Sequence, residues 1–174
     1  LPLDRPVPLA LMVTGSWIRR HPEDFAWLKA QEAAGTVAVS WVNHSFSHPY
    51  TPAAPLERNF LLSPGVDFAA EVLALERMLL EQGILPAPFF RFPGLVSNQR
   101  LVEQIASLNL IPIGSNAWLA KGEQPRPGSI ILVHANGNEP AGVRLLKAFL
   151  ARQRETFRQR GAALFPLREA FERQ

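Results

Sequence analysis

The chain has 174 residues, 47% hydrophobic and 19% charged, with a net charge of +3 and no cysteine. That length suits one domain with a sizeable core, and the composition excludes disordered and fibrous classes. Disulfide staples, Cys-ligated zinc and thiol nucleophiles are excluded, and the apolar runs are too short and interrupted to span a membrane. No secretory n-region and h-region opens the chain.

In chain order, VPLALMVTG (7–15) is a continuous apolar run, the form of a strand buried on both faces. HPEDFAWLKAQEAAG follows with Pro22 in a first turn, acids Glu23 and Asp24 behind it and Gly35 as terminator, which are helix signals. TVAVSWV (36–42) reads as a strand running into HSFSH (44–48). A Pro-rich loop covers 49–64, and a helix is predicted over 66–82, closed by Gly83. APFFRF (87–92) is a short strand stopped by Pro93-Gly94. Ser97 is a candidate cap for the helix NQRLVEQIASL, LIPIG is a further strand, and SIILVH (129–134) is the last before a basic helix. Strands alternating with helices predict a parallel α/β sheet or barrel with right-handed crossovers.

The positive charge gathers on that last helix, at Arg144, Lys147, Arg152, Arg154, Arg158 and Arg160. Apolar Val143, Leu146, Phe149, Leu150 and Phe157 alternate with them at helical spacing, so this is a solvated helix face. Phe149 and Phe157 belong to the apolar face, so no aromatic residue joins the basic face to stack bases, and no nucleic-acid partner is expected.

HSFSH, RFPG, GSNAW and LVH each fall where a strand ends, the edge at which parallel α/β folds carry their sites. His44 and His48 are four apart, and on a helical turn their rings would share one face and could approach one ion. By itself the spacing suits surface or internally satisfied histidines better than a metal clamp, and two histidines fall short of a catalytic zinc site. Arg91 ends an apolar strand and either points at a carboxylate or other anion or snorkels to solvent. Pro93-Gly94 allows a sharp turn that can present N–H groups to a ligand. His134 is either structural or, beside the others, a general acid. Trp118 suits packing or an apolar wall for a sugar ring. Trp17 and Trp27 read as packing residues, and His21 as helix-terminal surface.

Together these motifs resemble the NodB-homology polysaccharide deacetylases, carbohydrate esterase family 4, over most of the chain. HSFSH matches that family's H-[ST]-x-[ST]-H motif, RFPG (91–94) its R-x-P-[YF]-G motif with one residue fewer, GSNAW (114–118) a degenerate D-x-x-D-W-like segment and ILVH (131–134) its L-x-H motif. The resemblance implies an irregular (β/α)7 barrel and removal of N-acetyl or O-acetyl groups from a polysaccharide or other N-acylated substrate. It implies His44 and His48 as ligands of a divalent metal, zinc. His134 would be the general acid, Arg91 the holder of a catalytic aspartate, and the turn after Arg91 an oxyanion donor. Asn116 takes the place of a catalytic-site aspartate. Phe92, Pro93, Gly94, Trp118 and Leu132 would line the substrate site. A periplasmic or extracellular address follows from the same resemblance.

The family's TFDD motif, source of the catalytic base and third ligand, is absent. Asp4 is the one carboxylate before the first strand, and about nine residues at ~3.3 Å each put it roughly 30 Å from that strand's far end. The resemblance therefore implies a single domain over 1–174 that is N-terminally incomplete, lacking its first strand-helix unit. Two readings stay open: a metal-dependent deacetylase, and a non-catalytic relative that binds carbohydrate.

Overall fold

A computed structural model describes residues 6–159 and 163–172; Asp4 and Arg160 lie outside them. The described residues fall into two compact units, one over 6–113 and 166–172, the other over 114–159 and 163–165.

In the first unit, β1 (Val7–Val13) pairs in parallel with β2 (Val37–Asn43) over seven residues, from Val7 opposite Val37 to Val13 opposite Asn43. β3 (Phe89–Phe90) and β4 (Ile111–Pro112) continue the sheet in the order β1-β2-β3-β4, all parallel. The α/β class with a parallel sheet is as expected. The described strands, however, form an open sheet of four and a separate pair, not a closed barrel. The strands expected over 87–92 and 110–114 shrink to two ladder residues each. Prolines 88, 93 and 112 interrupt them, and proline donates no ladder hydrogen bond.

β1 stops two residues earlier than its apolar run. Thr14 leaves the strand because its Oγ1 accepts the Trp17 N–H and caps a short helix, α1 (Gly15–Arg20). α2 (Pro22–Ala33) starts at its proline and is followed by Gly35 at φ +69°. Trp17 packs against the core as expected, but Trp27 is 61% exposed. α3 (Phe68–Glu81) opens on Asp67, whose Oδ1 accepts the Ala70 N–H. Its buried Phe68, Val72, Leu75 and Leu79 follow helical spacing and join two clusters. Leu75 and Leu79 pack with Val13, Ile18, Phe25, Trp41 and Ile84, while Phe68 and Val72 pack with Leu61, Phe90, Phe92, Leu101 and Ile105. One helix thus braces the part of the sheet from which the candidate site rises. α4 (Gln99–Ser107) adds Leu101 and Ile105, and α7 (Leu167–Glu172) packs on β1.

The second unit holds β5 (Ala117–Trp118) and β6 (Ile131–Leu132), paired in parallel, then α5 (Pro140–Arg152) and α6 (Arg154–Arg158). The basic residues of α5 and α6 point largely to solvent, as the helical pattern required.

The cap of α4 is Asn98, not Ser97: Asn98 Oδ1 accepts the Leu101 N–H at 3.0 Å. Asn98→Ala should therefore cost about 0.5–2 kcal/mol of stability in denaturant titrations, whereas Ser97→Ala should stay within about ±0.5 kcal/mol. Equal losses would return the cap to Ser97.

Candidate active site

The carboxyl end of β2 is built around Asn43, which is fully buried. Its side-chain amide donates to the Val72 carbonyl at 3.0 Å and to Glu76 Oε1 at 2.6 Å, while its Oδ1 accepts the Ser45 N–H at 2.9 Å. The strand end is thereby tied to α3 and the chain is turned into HSFSH. Burial pushes the Glu76 carboxyl above its usual pKa, against the lowering effect of the Asn43 hydrogen bond.

HSFSH is a loop with two left-handed residues, Ser45 at φ +67° and His48 at φ +50°, rather than the helical turn its spacing suggested. Each such conformation costs on the order of 1–3 kcal/mol and persists only when its surroundings dictate it. Here they do. Ser45 Oγ accepts the His48 N–H at 3.1 Å, and Glu71 Oε2 accepts the Ser47 N–H at 2.8 Å. The Phe46 ring lies against Gly15, where a Cβ would stand 2.2 Å from Phe46 Cδ2, so this packing requires glycine. The result juxtaposes the two imidazoles, with centroids 4.9 Å apart and planes at 68°.

His44 Nδ1 lies 2.7 Å from the Arg91 carbonyl oxygen. A carbonyl only accepts, so Nδ1 carries the proton and the lone pair of the neutral ring is on Nε2. Burial, above all, draws the His48 pKa below its ordinary value, opposed by its backbone hydrogen bond and by Glu71. The His48 ring therefore favours the neutral form that binds metal.

Arg91 follows β3. Its backbone N–H donates to the Asn43 carbonyl at 2.9 Å. The side chain is 4% exposed, and Nη1 has no hydrogen-bond partner among the described residues. Desolvation lowers the guanidinium's pKa. A charge buried without a counter-ion is costly, so the arrangement suits an anion beside it. Beyond Arg91, Phe92 and Pro93 are buried, and Gly94 turns at φ +63° beneath Phe60. A Cβ on Gly94 would stand 2.4 Å from Phe60 Cε2.

Phe60 is a residue that the sequence pattern did not single out. His48 meets its ring edge-on at 5.7 Å and Tyr50 stacks on it at 5.2 Å. Phe60 is itself left-handed at φ +52°. Asn59, 1% exposed, holds it there: Oδ1 accepts from Thr51 N–H and Phe60 N–H, and Nδ2 donates to the Thr51 and Ala54 carbonyls. The Pro-rich loop is thus an ordered wall of the site. Its length without secondary structure was the one available signal.

In the second unit, Asn116 Oδ1 accepts the Ile130 N–H at 2.8 Å and so extends the β5-β6 pairing. Leu132 is buried beneath. Trp118 lies 5.2 Å from the His134 ring, and Lys121 Nζ sits 3.7 Å above the indole. The carboxylate beside His134 is Glu139, with Oε2 at 2.6 Å from Nδ1; the same oxygen accepts the Trp118 Nε1–H at 2.8 Å. The indole N–H foremost, with the hydrogen bond and charge of His134 and the charge of Lys121, holds the Glu139 carboxyl below its usual pKa against partial desolvation. Within the first unit HSFSH meets RFPG, and within the second GSNAW meets LVH.

No group of three or more His, Asp or Glu side chains that could hold a metal occurs among the described residues. His44 and His48 fit a zinc or similar ion as two imidazole donors.

No family model matches the sequence. The fold is that of solved family 4 carbohydrate esterases. One from Bacillus anthracis is 20% identical with a TM-score of 0.68, the match covering 97% of this chain and 70% of that one. A peptidoglycan N-acetylglucosamine deacetylase is 16% identical with a TM-score of 0.66, covering 95% and 76%. A family 4 pseudoenzyme from Bacillus anthracis is 16% identical with a TM-score of 0.54, covering 84% and 52%.

The raised Glu76 pKa has a consequence for stability. Its carboxyl ionises first in the unfolded chain, so raising the pH above about 4.3 favours unfolding until the folded-state pKa is passed. Glu76→Gln keeps an acceptor for Asn43 and removes that ionisation. The stability of the variant relative to the parent should rise between mildly acidic and neutral pH in denaturant titrations; a constant difference would refute the shift.

Proposed function

We propose that the chain is a metal-dependent hydrolase that removes N-acetyl or O-acetyl groups from a polysaccharide or related N-acylated carbohydrate, acting on exported or cell-envelope material. The observation that carries this reading is the His44 Nδ1–H bond to the Arg91 carbonyl. It joins the two most specific motifs, leaves the ligand lone pair on Nε2 and places a buried guanidinium, whose Nη1 has no hydrogen-bond partner among the described residues, in the same cluster. The irregular barrel belongs to this proposal, with β1 to β4 as part of its parallel arc.

His44 and His48 would hold the divalent ion, zinc in this reading. When bound, it would supply Lewis-acid polarisation of the acetyl carbonyl and acidify the attacking water. Arg91 would hold the carboxylate that takes the water's proton. Water oxygen adds to the carbonyl carbon. The oxyanion donor must come from the turn after Arg91. Pro93 has no N–H, and the N–H groups of Leu95 and Val96 already donate to the Phe92 and Pro93 carbonyls. In this reading the donor would be the Phe92 or the Gly94 N–H. The C–N bond then breaks with its electron pair on nitrogen, and His134 gives the amine a proton. Phe92, Pro93 and Gly94 in the first unit, and a wall of Trp118 and Leu132 in the second, would contact the substrate; of these Phe92, Pro93 and Leu132 are buried. Asn116, with its Oδ1 on the Ile130 N–H, supports this wall and takes no proton.

A non-catalytic carbohydrate binder is the second reading, favoured by the absence of a carboxylate against Arg91 among the described residues and by the pseudoenzyme among proteins of this fold. Calorimetric zinc titration and acetate release from N-acetylglucosamine oligomers separate the two. The hydrolase should bind zinc and release acetate. His44→Ala should weaken zinc binding by more than the roughly 10–100-fold that loss of an outer-shell partner costs, and should abolish turnover. Zinc binding with no acetate would select the binder, and neither would sink the metal site altogether.

A further inference from the structure

Asn116, which the resemblance sets where a catalytic-site aspartate is expected, has no carboxylate, and its Oδ1 accepts the Ile130 N–H. The carboxylate comes from elsewhere. Glu139 stands at the N-terminus of α5, five residues after His134, with Pro140 as the first helical residue. Its Oε2 accepts from two donors at once, His134 Nδ1 at 2.6 Å and Trp118 Nε1 at 2.8 Å.

Three further contacts keep this arrangement from being a chance approach of loop side chains. Gly142, in the first turn of α5, is buried against His134, where a Cβ would stand 3.7 Å from its backbone nitrogen and 3.4 Å from Val133 Cγ1. The helix that carries Glu139 is thus packed on the strand end that carries His134. The Trp118 backbone N–H donates to Glu123 Oε2 at 2.6 Å, and Lys121 Nζ lies over a face of the indole. An indole held at its backbone and its face presents Nε1 to Glu139 in a fixed place. The helix N-terminus also favours the ionised carboxylate.

We infer that Glu139 is the positioning residue for His134, holding Nδ1–H so that Nε2 is the nitrogen that delivers a proton. The inference rests on the hydrolase reading and adds a residue to it. In the balanced step, imidazolium Nε2–H transfers its proton to the departing amine nitrogen as the C–N electron pair moves onto that nitrogen. His134 is left neutral, with Nδ1–H still on Glu139 and the carboxylate unprotonated throughout. This is the orienting role that a buried carboxylate plays for a catalytic histidine, supplied here from a helix N-terminus.

The test uses the full chain loaded with zinc, and the variants Glu139→Gln and Glu139→Asp, with circular dichroism to check folding. Long-range 15N–1H correlation at mildly alkaline pH should show the Nδ1–H tautomer of His134 in the parent and in Glu139→Asp, and a mixture with Nε2–H in Glu139→Gln. Acetate release from N-acetylglucosamine oligomers should lose roughly 10- to 1000-fold in kcat in Glu139→Gln, part of the 10²–10⁴ that a general acid supplies, with KM within about twofold. Glu139→Asp should recover most of that loss. An unchanged tautomer and unchanged kcat in Glu139→Gln would overturn the inference. If that variant unfolds, a mixed tautomer in Glu139→Asp with parental kcat overturns it instead. A parent that releases no acetate refutes the hydrolase reading alone, and the tautomer spectra still decide whether Glu139 orients His134.

Discussion

The first unit turns on the joint between the ends of β2 and β3. Arg91 N–H donates to the Asn43 carbonyl, and the Arg91 carbonyl accepts from His44 Nδ1. One residue therefore closes the sheet ladder with its amide and orients a ring with its carbonyl. Moving either strand by one residue would exchange the faces of the sheet. The imidazole would then lose its acceptor and the guanidinium its buried position. Everything proposed for His44, His48 and Arg91 depends on that register.

Strain collects around the same joint. Ser45, His48, Phe60 and Leu95 all adopt left-handed backbone without being glycine, and all lie in the loops that follow β2 and β3. The compensation is local. Asn43 and Asn59, both essentially unexposed, make three and four hydrogen bonds respectively, mostly to backbone. Satisfied buried amides of this kind rigidify a loop, because breaking one leaves a desolvated polar group behind. The Phe46 ring over Gly15 and the Phe60 ring over Gly94 fill the two places where only glycine leaves room. The imidazole pair is thereby held close before any ion arrives, the preorganisation a metal site needs.

The two units hold their key charged side chains differently. Arg91 is desolvated with no carboxylate against it among the described residues, whereas Glu139 is shared by His134 and Trp118. The first arrangement calls for an anion to complete it; the second is already complete and orients the ring it touches. Solved structures of this fold include both deacetylases and a pseudoenzyme. The fold therefore supports either outcome, and the chemistry lies in individual side chains.

Much of this was legible along the chain, because helix signals and motif residues act locally. Pro22 and Gly35 bound α2 where their φ preferences predict, and HSFSH, RFPG and LVH sit at strand ends as the alternation requires. The spacing of His44 and His48 marked a pair, but not its geometry: the rings meet through two left-handed residues, which hydrogen bonds from Ser45 and Asn43 permit and no spacing rule anticipates. Asn98 rather than Ser97 caps α4 because only one of two adjacent polar residues has its side chain over the first turn. Asn59, Phe60 and Glu139 carried no motif, since their roles arise from partners up to 21 residues away and from packed rings. By itself the sequence determined the strand-helix alternation, the ends of α2 and the candidate side chains, all properties of neighbouring residues. Tertiary structure alone decided the His44 tautomer, the burial of Arg91 and which carboxylate serves His134, because each depends on atoms that only chain folding brings together.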